Sequence, residues 1–220
     1  MRKLVVFDLD GTLVDSITDV ALCFDRALTE EGFPAPGVPG VLEAVGGNLE
    51  QVVSKLLPET LRTSANIDAV KHRYRRLYLE SDKPNTSPYP GIRELIRDLR
   101  GLGVKVAVNT NKGQALSDEL VGRLFTDHPF EAVVGYDERF PSKPDPHGVR
   151  RILARCGLAA DDAVYVGDGK SDIETARAAG MDLLLVTWGQ ATPEDLATVP
   201  ADRRVADADA ILRFVRGDRT

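Results

Sequence analysis

Two aspartates separated by a single residue follow the first apolar run of the chain. The run is Leu4–Phe7, and Asp8 and Asp10 come directly after it, with Gly11 next. A short run rich in Val and Phe is typical of a buried strand, so Asp8 is expected where that strand ends. Two carboxylates this close repel each other and are costly to bury unless a cation lies between them. Because Mg²⁺ prefers oxygen ligands, the pair indicates magnesium chemistry. The alternative is that both acids are solvated turn residues.

Polar side chains follow later apolar runs in the same way. A hydroxyl and an amide follow the run 104–108, two acids follow the run 163–166, and a lysine lies in a Pro-rich loop between them. These residues are Thr110, Asn111, Lys143, Asp168 and Asp172. In open α/β sheets, ligands bind beyond the carboxyl ends of the strands. Carboxylates that hold a metal, with a hydroxyl and an ammonium group that contact phosphate oxygens, suit phosphoryl transfer.

The elements that must position these residues fall into two groups. Residues 15–80 have apolar residues at helical spacing and no alternation typical of a strand, which predicts a helical insertion. A Pro-rich connector follows at 82–91, and such segments often mark domain boundaries. Beyond it, helices and strands alternate, which indicates a parallel sheet covered on both faces. The sequence therefore predicts an α/β protein with a smaller helical unit inserted after the first strand.

The composition excludes several classes of protein. The 220 residues carry a net charge of −6, whereas nucleic-acid-binding proteins are expected to have a basic surface. The first apolar run is too short for a signal peptide, and no segment approaches the ~18 apolar residues of a membrane span. Cys156 falls on an apolar helical stripe, which predicts a buried thiol. The histidines have no metal-ligand spacing, which favours surface or capping roles; they are His72, His128 and His147. We expect a cytoplasmic protein with no nucleic-acid or membrane partner.

Several candidate residues also fit ordinary structural roles. Thr110 suits an N-cap for the helix after it, although a helix N-terminus also favours phosphate. Lys143 taken alone is a solvated loop lysine. Ser171 and Glu174 fit a capping box, which would place Asp172 in the first helical turn, where an acid is favoured without any metal. For each residue taken singly, these alternatives stay open.

The order of these motifs resembles that of a known family. Phe7–Leu13 (FDLDGTL), a threonine after a second strand, Lys143–Pro146 (KPDP) and Gly167–Asp172 (GDGKSD) occur in that order. This order resembles the haloacid dehalogenase superfamily of aspartyl phosphotransferases, and within it the phosphoglycolate phosphatase-like group. The resemblance covers nearly the whole chain and includes Val186–Gly189 near its end. Gly169 departs from the pattern, since many relatives carry Ser or Thr there.

The resemblance implies a role for each matched residue. Asp8 would attack phosphorus and form a phospho-aspartyl intermediate, and Asp10 would protonate the leaving oxygen and then activate water. Thr110 and Lys143 would bind the transferring phosphoryl group. The implied cofactor is Mg²⁺. The ligands implied for it are Asp8, Asp10 through its backbone carbonyl, Asp168 and, farther from the metal, Asp172.

The resemblance also implies a doubly wound, Rossmann-like parallel sheet with an inserted helical cap domain. Residues 1–14 and 82–220 would form the catalytic core, and residues 15–81 would form the cap. Such a cap closes over the site, excludes bulk water and selects the leaving group.

Substrate selection is therefore expected to depend on the cap. Gly47 and Asn48 lie in a Gly-rich stretch that could present backbone groups to the substrate, and Asn111 could contact it from the core. Cap cations could bind a substrate carboxylate, although the usual interpretation of each is a solvated helix charge. These cations are Lys55, Arg62, Lys71 and Arg73. We predict a small phosphorylated metabolite as substrate, with 2-phosphoglycolate as the leading candidate, and a monomer or homodimer.

Other activities remain open on the same motifs. A sugar-phosphate mutase of the β-phosphoglucomutase type would return the phosphoryl group to its substrate and yield an isomer. A pyrophosphatase or a nucleotide phosphatase would differ in the leaving group. A receiver-like regulatory phosphoprotein also uses Asp, Thr and Lys around magnesium, but it has no need of Asp10 as an acid. A catalytically silent binding protein is not supported, since every matched group is present.

Overall fold

A parallel sheet forms the centre of the protein. The structure, a computed structural model, describes residues 1–127 and 129–218, so the interpretation of His128 lies outside the described residues. The strands are β1 (Leu4–Phe7), β2 (Val14–Asp15), β3 (Ser87–Pro88), β4 (Lys105–Gly113), β5 (Ala132–Tyr136), β6 (Ala163–Gly167), β7 (Asp182–Val186) and β8 (Arg204–Val205). Within the described ranges, six of them form a sheet in the order β5-β4-β1-β6-β7-β8. All its neighbouring strands are parallel, which confirms the predicted doubly wound α/β fold.

The first strand lies in the middle of this sheet and is buried on both faces. Val5 and Phe7 pack into one hydrophobic cluster, whereas Leu4 and Val6 pack into another, because successive side chains of a strand point to opposite faces. This is why its sequence is a continuous apolar run and does not alternate. Since β1 pairs with β4 on one side and β6 on the other, Asp8 follows the central strand at the carboxyl edge.

Helices cover both faces of the sheet. They are α1 (Ile17–Glu30), α2 (Gly37–Ala44), α3 (Leu49–Leu56), α4 (Ser64–Glu80), α5 (Ile92–Gly101), α6 (Gln114–Leu124), α7 (His147–Cys156), α8 (Lys170–Ala179), α9 (Pro193–Ala197) and α10 (Ala208–Arg216). Helices α5, α6 and α10 pack on one face, and α7 and α8 pack on the other. Cys156 is buried in the second of these layers, as predicted. None of the helices in the described part of the chain is long and apolar enough to cross a membrane.

Helices α1–α4 bury a separate hydrophobic cluster. Phe24 of α1 stacks on Tyr74 of α4 with ring centroids 4.0 Å apart, which joins the first and last helices of the group. Asn48 and Thr63 cap α3 and α4 by accepting backbone N–H groups. Four helices thus lie between Ile17 and Glu80, and the assignment of residues 15–81 as a separate cap domain stays a prediction.

The two connections between these helices and the sheet are tied to each other. Strands β2 and β3 pair antiparallel, with Val14 opposite Pro88. Asp19 near the start of α1 is buried, and it accepts the backbone N–H of Asn85 at 2.9 Å and the hydroxyl of Thr86 at 2.6 Å. A buried carboxylate that accepts several hydrogen bonds is tolerated without a cation. These contacts fix α1 against the returning chain.

Two sequence interpretations near the edge of the sheet are wrong in detail. Strand β4 continues to Gly113, which also precedes α6, so Thr110 is not an N-cap. Helix α8 begins at Lys170 with Gly169 at its N-cap, so Ser171 does not cap it. Strand β4 pairs with β5 at Asn109 and again at Gly113, and this tertiary pairing on either side of the intervening polar residues overrides their local propensity.

Candidate active site

Asp8, at the carboxyl end of β1, is paired with a buried lysine. The Nζ atom of Lys143 lies 2.9 Å from Oδ1 of Asp8 and 2.7 Å from Oδ1 of Asp172. The side chain of Lys143 is 3% exposed, so it is not the solvated loop lysine that its local sequence also allowed. Charges this deeply buried are tolerated only when they are paired and hydrogen-bonded. The structure therefore brings these predicted residues into one set.

Asp172 is held in this set by the helix that carries it. Its Oδ2 accepts the backbone N–H groups of Asp168 at 3.1 Å and Gly169 at 3.2 Å, and its Oδ1 lies 3.1 Å from the hydroxyl of Tyr165. Asp172 lies in the first turn of α8, where N–H groups lack helical partners and favour an anion. The structural role that the sequence left open is present, and it directs the carboxylate towards Lys143.

A third carboxylate, Asp168, directly follows β6 and is held by residues from two other segments. The hydroxyl of Thr12 donates to its Oδ1 at 3.0 Å, and the backbone N–H of Gln190 donates to its Oδ2 at 2.8 Å. Gly11 has a φ of +83°, and a Cβ there would lie 2.2 Å from Oδ2 of Asp168. Only glycine fits both the conformation and this approach. The FDLDGTL motif therefore supplies Asp8, and through Gly11 and Thr12 it also positions Asp168.

The negative charges of Asp8, Asp168 and Asp172 are not balanced by the Lys143 ammonium group beside them. Burial raises the pKa of Asp8 to about 7, with Lys143 opposing the rise and Asp172 adding to it. Burial and repulsion by Asp172 and Asp8 raise the pKa of Asp168 well above its ordinary value. Burial alone would lower the pKa of Lys143, but Asp172 and Asp8 outweigh it and the pKa is raised. Lys143 supplies a single positive charge against three carboxylates, so a further cation would stabilise the set.

The three carboxylates converge closely enough to bind that cation together. One carboxylate oxygen from each of Asp8, Asp168 and Asp172 lies within 4.8 Å of the other two. Hard oxygen donors of this kind fit Mg²⁺, and a bound cation would relieve the repulsion that, after burial, adds to the raised pKa of Asp168. The side chain of Asp10 does not belong to this group in the described residues. The implied role of its backbone carbonyl as a ligand stays a prediction.

Asp10 instead contacts a different set of partners. Nζ of Lys112 lies 3.0 Å from its Oδ1 and 3.1 Å from its Oδ2, and the hydroxyl of Ser16 donates to Oδ1. Burial would lower the pKa of Lys112, but the neighbouring Asp10 carboxylate and Tyr74 oppose this effect, and the pKa is raised. Asp10 and Asp8, two residues apart in sequence, therefore have separate ammonium partners.

The predicted phosphate-contacting residues of β4 are also at this edge. Thr110 is buried, and its Oγ1 accepts the backbone N–H of Lys112 at 3.2 Å. The side-chain Nδ2 of Asn111 donates to the carbonyl of Lys143 at 3.2 Å, and its Oδ1 accepts the N–H of Lys143 at 2.9 Å. Asn111 thus positions the loop that carries Lys143, while its predicted contact with substrate stays a prediction.

A cleft of about 990 Å³ lies between the cap helices and this edge of the sheet. Gly47 lines it, as does every predicted catalytic or metal-binding residue. Asn48 is not one of the described residues that line the cleft. Asn48 accepts the N–H of Gln51 at 3.1 Å and donates to the hydroxyl of Ser142, beside Lys143, at 3.2 Å. It joins cap to core, and its contact with substrate remains a prediction.

One of the cap cations suggested by the sequence faces the cleft. Lys55 lines it and donates to the carbonyl of Ala44 at 3.1 Å, and it forms no ion pair with an acidic residue in the described ranges. Lys71 and Arg73 form ion pairs with acids of the cap, and Arg62 donates to a cap carbonyl. Of these four cations, Lys55 is therefore the one that lines the cleft, and in the described ranges it has no acidic partner.

Sequence reasoning missed several residues that shape the site. Thr12 lies within the FDLDGTL motif and Lys112 within the polar run after Val108, so both carried a signal. Gln190 acts through its backbone N–H, which no residue type reveals. Tyr165 is an aromatic residue in a buried strand and is indistinguishable in the sequence from a core residue.

The chain is similar in sequence and in fold to known proteins. The family model for haloacid dehalogenase-like hydrolases matches residues 5–186 of the chain. The phosphoglycolate phosphatase of Pseudomonas syringae pv. tomato is 34% identical over 193 residues, which cover 86% of this chain and 71% of that protein. The phosphoglycolate phosphatase of Aquifex aeolicus is 33% identical over 187 residues, which cover 85% of each. The crystal structure of a predicted phosphoglycolate phosphatase from Haemophilus somnus superposes with a TM-score of 0.88 at 26% identity and 97% coverage of both chains.

Proposed function

This chain belongs to the haloacid dehalogenase-like hydrolases and is a phosphatase, and we propose that it hydrolyses a small phosphorylated metabolite through a phospho-aspartyl intermediate. The leading candidate for the substrate is 2-phosphoglycolate, since phosphoglycolate is the compound named in the relatives at 33–34% identity. The proposal has three parts, namely the nucleophile, the magnesium requirement and the leaving group.

The placement of Asp8 carries the proposal. Its carboxylate opens into the cleft and is 12% exposed, with the Lys143 ammonium 2.9 Å from one oxygen. A nucleophile must be accessible and oriented, and a neighbouring cation stabilises the charge of the transferring group. Lys143 supports both needs, because it holds Asp8 and lines the same cleft.

The residues at this edge support a balanced two-step reaction. In the first step, an oxygen of Asp8 attacks phosphorus, the bond from phosphorus to the ester oxygen breaks, and Asp10 gives its proton to the leaving oxygen. In the second step, Asp10 takes a proton from water, whose oxygen attacks phosphorus. The bond between phosphorus and Asp8 then breaks, which releases inorganic phosphate and restores the carboxylate.

The acidic set supports a magnesium requirement. Asp8 and Asp168 would hold the ion together with the backbone carbonyl of Asp10, and Asp172 would steady the arrangement through its contact with Lys143. Mg²⁺ bound there would neutralise charge on the phosphoryl group. The raised pKa of Asp168 and the convergence of the three carboxylates support this assignment.

Lys55 supports a leaving group that carries a carboxylate. It lines the cleft and, within the described ranges, has no acidic partner. An ammonium group that faces a cleft in this way suits a substrate anion, and glycolate provides one at the end away from the phosphate. The cleft volume of about 990 Å³ also leaves room for larger leaving groups, which the test must include.

The proposal is tested by measuring phosphate release from a panel of esters with and without Mg²⁺. The panel contains 2-phosphoglycolate, ethyl phosphate, a hexose phosphate, a nucleoside monophosphate and pyrophosphate. The wild type is compared with Asp8→Asn, in which the amide is a poor nucleophile, and with Asp137→Asn. Asp137 lines the same cleft but pairs with Arg139, so its variant controls for the loss of a nearby acid.

We expect magnesium-dependent release that Asp8→Asn lacks and Asp137→Asn retains, with 2-phosphoglycolate the best ester. Undiminished release by Asp8→Asn would refute the covalent mechanism. An isomeric product with little free phosphate would replace the phosphatase with a mutase. A hexose phosphate, nucleotide or pyrophosphate ranked first would keep the reaction and change the substrate.

A further inference from the structure

Asp10, the carboxylate proposed as acid and base, is paired with Lys112, a lysine to which no sequence motif gave a role. Both oxygens of Asp10 lie within 3.1 Å of Nζ of Lys112. The side chain of Lys112 is 6% exposed, against 27% for that of Asp10. The contact is therefore a buried ammonium group that holds the inner side of a carboxylate whose remaining surface opens into the cleft. A group placed in this way restricts how the carboxylate can rotate.

Lys112 is itself placed by an irregularity in the sheet. Asn109 of β4 pairs with Val134, and Gly113 pairs with Tyr136. Four steps along β4 therefore match two steps along β5, so the intervening residues bulge out of register. A bulge of this kind redirects side chains and is common beside active sites. The bulge turns the side chain of Lys112 towards Asp10 and the cap.

The cap contributes an aromatic surface to this ammonium group. Nζ of Lys112 lies 4.3 Å from the ring centroid of Tyr78, in the last turns of α4. Tyr78 is fully buried and contacts Tyr74, with ring centroids 5.6 Å apart. An ammonium group over an aromatic face is attracted by the ring, and the attraction is stronger where water is excluded. The ammonium group of Lys112 therefore contacts the Tyr78 ring as well as the Asp10 carboxylate.

We propose that Lys112 is a positioning residue for Asp10: it orients the carboxylate for proton transfer and links that orientation to cap helix α4 through Tyr78. The proposal rests on the proposed function, since it takes Asp10 as the acid and base. Lys112 acts through Asp10 and transfers no proton itself. Ser16, which precedes α1 and donates to Asp10, adds a second cap-side contact, so the carboxylate is held from both ends of the inserted helices.

Lys83 provides a matched control for this role. It is also a buried lysine, with a side chain 1% exposed, and its Nζ lies 4.9 Å from the centroid of the same Tyr78 ring. Its acidic partner, however, is Glu119, with Nζ 3.2 Å from the carboxylate. Lys83→Met and Lys112→Met thus remove the same group from the same ring, but only the second removes a contact to Asp10.

The experiment measures kcat/KM of the magnesium-loaded full chain for a series of aryl and alkyl phosphates that differ in leaving-group pKa. A poor leaving group needs a proton from Asp10, whereas 4-nitrophenolate leaves without one. We expect Lys112→Met to lose on the order of 10²-fold in kcat/KM for the alkyl esters, the scale of one acid–base catalyst, and only a few-fold for 4-nitrophenyl phosphate. Lys83→Met should lower all rates by a common factor, and Lys112→Arg should regain most of the loss because it keeps the cation.

The inference is tested by how kcat/KM of each variant depends on the pKa of the leaving group. If Lys112→Met lowered every ester equally, the lysine would contact the phosphoryl group or support the fold, and the positioning role would be wrong. The same would follow if Lys83→Met changed the series as Lys112→Met does. Magnesium-dependent hydrolysis by the wild type in the same assay keeps the proposed function in either case. Its absence for every ester would remove the proposed function and this inference with it.

A second pair of variants keeps the test open if Lys112→Met does not fold. The hydroxyl of Tyr78 is buried and has no hydrogen-bond partner in the described residues. Tyr78→Phe keeps the ring and should preserve the wild-type dependence on leaving group. Tyr78→Leu removes the ring beside Lys112 and should lower the alkyl esters more than 4-nitrophenyl phosphate. Identical profiles for the two variants would overturn the link to α4.

Discussion

The side chain of Asn111 forms hydrogen bonds with both backbone polar groups of Lys143. Its Nδ2 donates to the carbonyl of Lys143 at 3.2 Å, and its Oδ1 accepts the N–H of the same residue at 2.9 Å. One amide on β4 thus fixes both backbone polar groups of a residue in another loop. Because the ammonium of Lys143 is the cation beside Asp8, the position of that charge depends on Asn111.

Replacing Asn111 should therefore impair catalysis through Lys143. Asn111→Leu keeps the side-chain size and removes both hydrogen bonds, and we expect kcat/KM to fall by about 10- to 10²-fold, the scale of a misplacement near 1 Å. The free energy of unfolding should fall by about 1–3 kcal/mol for two neutral hydrogen bonds. Steady-state kinetics and urea unfolding measure the two effects. If Asn111→Leu lost stability but kept the kcat/KM of the wild type, Lys143 would be positioned by other contacts.

The charge of Lys143 should matter most when no metal is bound. Lys143→Met leaves Asp8 and Asp172 without their ammonium partner, and breaking a buried pair costs about 3–5 kcal/mol of unfolding free energy. We expect much of this loss to be recovered in millimolar Mg²⁺, because a second cation then meets the same carboxylates. Binding of inorganic phosphate, measured by calorimetry, should also weaken. Lys170→Met is the control, since Lys170 lines the same cleft with a side chain 76% exposed. Equal stability of the two variants would contradict the role of Lys143.

Asp168→Asn should separate stability from metal binding. The variant removes one of three mutually repelling carboxylates, and the hydroxyl of Thr12 can accept a hydrogen bond from the new amide. We expect a higher Tm than the wild type in EDTA, with a shift of about 2–4 °C for each kcal/mol gained. In the wild type, Mg²⁺ at 100 times its Kd should stabilise by about 2.7 kcal/mol. The variant should lose most of this response, and a full response would exclude Asp168 as a ligand.

The same carboxylates predict how the metal-free stability depends on pH. Burial raises the pKa of Asp8 to about 7, whereas the unfolded chain loses that proton near the ordinary value of about 3.9. Between these values the native state binds more protons than the unfolded state, so the free energy of unfolding falls as pH rises from about 4 towards 7. Saturating Mg²⁺ should flatten this slope. Urea unfolding across the range in EDTA measures it, and a rise in stability with pH would contradict the assignment.

Lys55 should act on the substrate carboxylate and on nothing nearer the phosphorus. We expect Lys55→Met to raise KM for 2-phosphoglycolate by roughly 10-fold or more, since a hydrogen bond to a charged group contributes about 1.5–3 kcal/mol. Ethyl phosphate, which lacks the carboxylate, should keep its kcat/KM. Lys71→Met is the matched control, because Lys71 is paired with Glu50 and Asp68 within the cap. A common effect of Lys55→Met on both esters would leave the carboxylate without an assigned partner.

The sequence by itself determined the parallel sheet, the helical character of the segment after the first strand, and which acids are candidates for the site. Continuous apolar runs, helical spacing in 15–80 and the alternation after residue 91 are local properties of the chain, and local periodicity predicts element type well. Asp8 and Asp168 were identifiable as candidates because parallel strands end at a common edge, so residues just after them converge, whereas Lys143 was identifiable from the KPDP motif of its loop. The residue types just beyond each strand are visible in the chain without knowledge of the strand order.

Only the tertiary structure decided which of these groups contact one another. Lys112 meets Asp10 because β4 bulges against β5, and that change in register depends on pairing between distant segments. Asn111 faces the backbone of Lys143, and Lys55 faces the cleft while Lys71 and Arg73 pair with acids, because of how loops and helices pack. Such partner choices are set by three-dimensional packing and by the need to satisfy buried polar groups. A sequence pattern contains no information about packing or about which buried polar groups need a partner. The types of the site residues were therefore predictable, and the contacts between their side chains were not.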